Sequence, residues 1–228
     1  MTAIIPHIEL TTGIDPKGSV IWMHGLGADC WDFVPIVREL GLADDLPLRF
    51  IFPQAPTRPI TINGGHAMPG WYDIAMDELE RRPDEAGIRE SQAAIDALIE
   101  REIARGVASD KIILAGFSQG GAVALQAGLR NKHALAGILA LSTYLTLGDS
   151  LAREKTIANA HIPILMVHGT QDPVVPLALA RSSRDALAAN GYKVDWQEYP
   201  MPHSVCAEEV ERIGEWLAAR FKSRILLA

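Results

Sequence analysis

Short apolar runs alternate along this 228-residue chain with stretches in which apolar side chains recur every three or four positions. The runs Ser19–Met23, Leu48–Phe52, Lys111–Phe117, Gly137–Ser142, Ile162–His168 and Val194–Tyr199 are rich in β-branched or aromatic residues and predict strands. Between them, 33–40, 88–103, 122–129, 176–189 and 208–221 predict helices. In 88–103 the apolar positions Ile88, Ile95, Leu98, Ile99 and Ile103 fall at helical spacing, and Gly106 is a stop signal. In 208–221, Val210, Ile213, Trp216, Leu217 and Phe221 make one inward face. Strand and helix in alternation predict an α/β fold, with a mostly parallel central sheet covered on both faces.

One stretch breaks the rhythm. Residues 54–87 are rich in Pro and Gly and lack a sustained period, and so long a connection in a compact domain usually has a function. Inside it, Ala67–Ile74 gathers large apolar groups that a solvated loop would avoid. The chain shows no repeat, low-complexity tract or linker. The expectation is one domain, 1–228, with a loop-rich substrate-binding insertion at about 54–87.

The candidate chemistry sits where a strand pattern turns into a helix pattern. Gly116-Phe117-Ser118-Gln119-Gly120 fits G-x-S-x-G, a strand-to-helix turn that lifts a serine hydroxyl above the sheet edge. Glycines flank the serine because a Cβ there would strike the neighbouring strand or helix. A serine hydroxyl needs an adjacent base to attack a carbonyl. In folds with this turn the chain order is Ser, then Asp or Glu, then His. Asp172, just past the strand pattern ending at His168, and His203, between the last strand and the last helix, supply that order. Asp149 is the rival acid, but it reads more simply as a solvated turn residue. His24 and His168 each precede a glycine at a strand end, which suits hydrogen bonding to loop backbone. His7, His66, His133 and His161 all fall before the span expected for the base.

The anion formed on the attacked carbonyl oxygen needs donors already facing it. The expected donors are the backbone N–H groups of Gln119, directly after the nucleophile, and of Leu26, in His24-Gly25-Leu26-Gly27 after the first core strand. Leu26, Trp71, Ile74, Leu145 and Val175 are candidates for an apolar acyl groove, with a core role as the competing reading. A histidine base predicts activity rising with pH through about 6.5, where unperturbed imidazole titrates.

Composition narrows the classes. A net charge of -7 without basic clusters argues against nucleic acid or anionic membrane as the main partner. The spacings of metal-binding motifs and of phosphate loops are absent. Two cysteines, Cys30 and Cys206, make no disulfide framework, and separate reduced thiols are expected. Without a signal-peptide pattern at the first residues, or an apolar run of the ~20 residues a membrane span requires, the expected location is cytoplasmic.

Taken together, six motifs in order resemble the carboxylesterase/acyl-protein thioesterase family of α/β-hydrolases. They are His24-Gly25-Leu26-Gly27, Phe52 to Pro59, Trp71-Tyr72-Asp73, Gly116 to Gly121, Asp172-Pro173 with Val175-Pro176, and His203-Ser204. The likeness covers about Lys17 to Phe221. It implies a nucleophile at Ser118, an acid at Asp172, a base at His203 and oxyanion amides at Leu26 and Gln119. It further implies hydrolysis of short- to medium-chain carboxylic esters, and in some members of S-acylated proteins or lysophospholipids, without a cofactor. Homodimers occur in the family. Gly70 departs from the family pattern, which often has serine there, and Cys30-Trp31 occupy a variable spot; both bear on acyl-chain fit. A non-catalytic binding protein on the same fold is the contrasting expectation.

Overall fold

A computed structural model describes residues 4–43, 46–77 and 80–221. Seven strands form one sheet: β1 (His7–Thr11), β2 (Ser19–Met23), β3 (Arg49–Pro53), β8 (Ile112–Phe117), β9 (Gly137–Leu141), β10 (Ile164–Gly169) and β11 (Val194–Tyr199). Their spatial order is β1-β3-β2-β8-β9-β10-β11. All neighbours are parallel except β1, which runs antiparallel to β3 at the edge.

The expected strands all form, with ends shifted by at most two residues. Their continuous apolar character follows from burial on both faces. In β2, Ile21 and Met23 point into one core, with Ile95, Leu98, Leu114 and Leu125. Val20 and Trp22 point into the other, with Phe50, Ile113, Ile213 and Leu217. The first core is covered by α1 (Glu85–Ala104) and α2 (Gln119–Arg130), and α5 (Ala207–Phe221) covers the second. Helix α1 starts three residues before the expected Ile88 because Asp84 caps it, accepting from Gly87 N–H at 3.0 Å. It stops as foreseen, at Arg105 followed by Gly106 with φ +92°.

Besides the unexpected edge strand β1, three features differ from the expectation. Residues 33–40 form turns around a short 3-10 stretch, Pro35–Arg38, and their apolar residues still fill the second core. The 54–87 insertion contains two hairpins: β4 (Thr57–Ile60) with β5 (His66–Pro69), and β6 (Ile74–Asp77) with β7 (Glu80–Pro83). Strands of four residues are too short to leave a readable period-2 signal. The third is α3 (Gly148–Glu154), which places Asp149 in a helix's first turn. The remaining helix, α4 (Leu177–Ala189), matches its expected span to within one residue.

Candidate active site

Four loops at the carboxyl ends of β2, β8, β10 and β11 carry the candidate catalytic and oxyanion residues, where open parallel sheets place their sites. The turn after β8 is the tightest. Ser118 has φ 53° and ψ -119°, a strained conformation for a residue with a side chain. Its N–H donates to Leu141 O at 2.8 Å, and its carbonyl accepts from Ala122 N–H at 3.1 Å and from the Thr143 hydroxyl at 2.6 Å. These three bonds tie it to β9, α2 and the loop after β9. A Cβ on Gly116 would lie 2.3 Å from the carbonyl group of Gly120, and one on Gly120 would lie 2.3 Å from Met23 O. No side chain fits at either place, which is the reason both positions are glycine.

Asp172 lies in the turn after β10 with its side chain fully buried. One carboxylate oxygen accepts from the N–H groups of Val174 and Val175, both at 2.8 Å. The other accepts from His203 Nδ1 at 2.6 Å. A carboxylate acceptor requires the proton on Nδ1, which leaves Nε2 of a neutral ring as the free base. The imidazole packs against Phe117, with ring centroids 4.7 Å apart. Ser118 and His203 line the same cleft, of about 450 Å³. Among the described residues no direct hydrogen bond joins them, and such bonds are often long before substrate binds.

The N–H groups of Leu26 and Gln119 donate to no group among the described residues, and both residues line the cleft. The loop of Leu26 is held on either side. Gly27 N–H donates to Pro69 O at 2.8 Å. His24 is buried, with Nδ1 donating to Gly25 O at 2.7 Å and Nε2 accepting from Ala55 N–H at 3.1 Å. Burial pushes the His24 pKa down, so the ring remains a neutral strut. His168 is likewise buried, with Nε2 2.9 Å from Val175 O. Both therefore bond to loop backbone, as their positions before glycines suggest.

Of the five groove candidates, Leu26, Ile74 and Val175 line the cleft. Trp71 and Leu145 do not. Trp71 is fully buried, and its indole N–H donates to His24 O at 2.9 Å. Leu145 packs at the margin of the first core. Ile62, Val174 and Tyr144 also line it, as do Asp32 and Phe117, and none of these five was foreseen as a groove residue. The Gln119 side chain also went unforeseen as a brace: Oε1 accepts from Trp71 N–H and Nε2 donates to Tyr72 O, each at 2.7 Å. It clamps the insertion onto the elbow, and nothing in a single sequence marks such a contact. Cys30 and Cys206 are both free thiols, with pKa values pushed up by burial. No group of His, Cys, Asp and Glu suited to a metal ion occurs among the described residues.

Comparison with known proteins gives the family. Residues 9–220 match the phospholipase/carboxylesterase family. The chain is 44% identical over 211 residues to an acyl-protein thioesterase 1 of Neurospora crassa, covering 89% of this chain and 86% of the relative. A second relative of the same description, from Gibberella zeae, is 39% identical over 208 residues, covering 87% and 88%. Among solved structures, acyl-protein thioesterase 2 of Zea mays superposes with a TM-score of 0.84 at 28% identity, over 95% of this chain and 99% of that one. SOBER1 of Arabidopsis thaliana gives 0.85 at 28%, over 90% and 99%. Sheet order, serine turn and a match over nearly the whole length lead to one conclusion: the chain belongs to the phospholipase/carboxylesterase family of α/β-hydrolases.

Proposed function

We propose that this protein is a serine carboxylesterase that cleaves short- to medium-chain carboxylic esters, and acyl thioesters, through Ser118, His203 and Asp172. The observation that carries the reading is the fully buried Asp172, whose acceptor positions are filled by two backbone N–H groups and by His203 Nδ1. That arrangement leaves Nε2 of the ring as a base on the wall of a cleft that also holds Ser118.

In the proposed cycle Ser118 Oγ attacks the ester carbonyl while His203 Nε2 takes its proton. Asp172 fixes the tautomer and stabilises the imidazolium. The tetrahedral oxyanion is held by the N–H groups of Leu26 and Gln119, the second at the positive end of α2. The carbonyl–oxygen or carbonyl–sulfur bond breaks, and His203 returns the proton to the departing alcohol or thiol. Water then repeats the sequence on the acyl-enzyme. The acyl chain lies against Leu26, Ile62, Ile74, Val174 and Val175.

Hydrolysis of S-acylated protein is the second reading, favoured by what the relatives are described as; lysophospholipid hydrolysis would use the same residues. No helix among the described residues is long and apolar enough to cross a membrane, and a cytoplasmic location is part of the proposal. The test is a set of p-nitrophenyl esters of increasing chain length, run beside an S-acylated peptide and a fluorophosphonate label. The expected result is labelling at Ser118 and a preference for short to medium chains. An enzyme that takes no label and cleaves neither substrate would be a binding protein on a hydrolase fold.

A further inference from the structure

His168, next to last in β10, has no part in the cycle above, yet it is buried beside the acid of that cycle. Its Nε2 is 2.9 Å from Val175 O. A carbonyl only accepts, so Nε2 carries the proton and donates it. The same Nε2 lies 3.6 Å from Asp172 Oδ2, the oxygen that accepts from His203 Nδ1. Asp172 and Val175 are the two ends of one turn. Inside it, Asp172 Oδ1 accepts from the Val174 and Val175 N–H groups, and from outside His168 grips it through the Val175 carbonyl. One imidazole N–H thus faces both ends of the turn. Its positive end lies close to a fully buried carboxylate, where an oriented dipole acts with little solvent screening.

The ring is itself held in place. It stacks on Trp196 of β11, with the planes 10° apart and the centroids 6.4 Å apart. Trp196 Nε1 donates to Glu198 Oε1 at 2.8 Å, Arg181 holds the Glu198 carboxylate by two bonds of 2.9 and 2.7 Å, and the Arg184 guanidinium sits 5.1 Å from the indole centroid. Directly after His168, Gly169 admits the segment that carries His203. A Cβ on Gly169 would lie 2.3 Å from Met201 O and 2.6 Å from Pro202 O. The N–H groups of Thr170 and Gln171 then donate to Tyr199 O at 2.8 Å and Met201 O at 3.1 Å. The end of β10 therefore fixes both the acid's turn and the approach to the base. We propose that His168 is a positioning residue, which keeps Asp172 Oδ2 aimed at His203 Nδ1. Without its N–H the Val175 carbonyl comes loose, and the carboxylate can turn away from the imidazole. The inference rests on the hydrolase reading and adds a fourth side chain to it.

The test replaces the ring in contrasting ways. His168→Phe keeps an aromatic ring on Trp196 and removes the N–H, whereas His168→Gln brings an amide N–H to the neighbourhood of Nε2. kcat and KM are measured with p-nitrophenyl butyrate, and proton NMR follows the downfield Nδ1–H of His203, which reports its bond to Asp172. The expected result in His168→Phe is a kcat lowered by about 10–100-fold, the scale of a slightly misplaced catalytic group, with KM within about twofold. The downfield resonance should shift or broaden in that variant, and His168→Gln should recover most of both. If the phenylalanine folds poorly, His168→Asn gives the same contrast, because its shorter amide cannot reach Val175 O. Wild-type kcat in either folded variant, a loss that leaves the resonance in place, or a loss that glutamine does not relieve makes His168 a packing residue and overturns the inference alone. If the wild type takes no fluorophosphonate label at Ser118 and cleaves no ester, the hydrolase reading fails and takes the positioning role with it.

Discussion

The sheet edge and the 54–87 insertion meet at one cleft but are built by different means. At the edge, each candidate residue sits one to four residues past a parallel strand, so the hydrogen-bonded sheet sets its position. The insertion has no place in that sheet; it is held by the burial of Ile60, Trp71 and Tyr72 and by individual polar contacts at the segment between its hairpins. The Gln119 amide clamps Trp71 and Tyr72, the Ser91 hydroxyl donates to Trp71 O, and the Trp71 indole donates to His24 O. On the proposed mechanism the edge supplies reactivity and the insertion supplies a wall. Changes at the edge should cost rate without fold; changes under the insertion should cost fold or selectivity.

The sharpest test of that division is Ser118→Ala, expected to lower kcat by about 10⁶-fold with the melting temperature nearly unchanged. Comparable loss of stability would show that the elbow is mainly structural. Next comes Asp172→Asn, expected to reduce kcat by roughly 10⁴-fold with little effect on KM, because the imidazole would lose its tautomer. A loss under tenfold would move the acid elsewhere.

Trp71→Ala should do the reverse. Full burial of the indole predicts a loss of about 3–5 kcal/mol, read by urea unfolding, with a smaller effect on chain-length preference. If stability hardly changes while the preference shifts strongly, Trp71 belongs to the groove after all.

Buried acids near the edge also contrast. Asp172 is satisfied by three donors, whereas both carboxyl oxygens of Glu209, in the first turn of α5, are buried without a close hydrogen bond among the described residues, and only the Cys206 N–H offsets that burial in part. Burial raises the Glu209 pKa from 4.5 to about 8. A raised folded-state value makes its contribution complete below about 4.5 and lost as pH climbs through about 8. Relative to wild type, Glu209→Gln should therefore gain stability with rising pH across that window, on the order of 1 kcal/mol per pH unit. A difference between the two proteins that stays flat with pH would show that the carboxyl finds a partner in solution.

The smallest expected effect lies at Gly70. A Cβ there would come within 3.0 Å of the terminal methyls of Ile60 and Leu26, and Leu26 lines the cleft. Gly70→Ser should shift the kcat/KM ratio of butyrate to octanoate esters by about 3–10-fold. An unchanged ratio would detach this position from acyl-chain fit.

The chain pattern was most legible where one physical demand dominates. Strands buried on both faces read as continuous apolar runs, and helices α1, α2, α4 and α5 read at the helical period. Edge strand β1, His7-Ile8-Glu9-Leu10-Thr11, went unread because only two of its five residues are apolar, and the hairpin strands because four residues are too few to reveal a period. The 33–40 segment misled in the opposite way, since its apolar positions do pack inward while the backbone turns rather than coils.

What the sequence determined by itself was six of the sheet's seven strands, the glycine-flanked serine and the order in which Asp172 and His203 follow it. These are local: sterics of a tight turn and periodic burial act on neighbours in the chain. Only the tertiary structure decided that Asp172 meets His203 across 31 residues at 2.6 Å, that Trp71 supports the wall rather than forming it, and that the Gln119 side chain joins two regions 48 residues apart. Those contacts depend on which strand ends the fold sets side by side, and no local pattern encodes that.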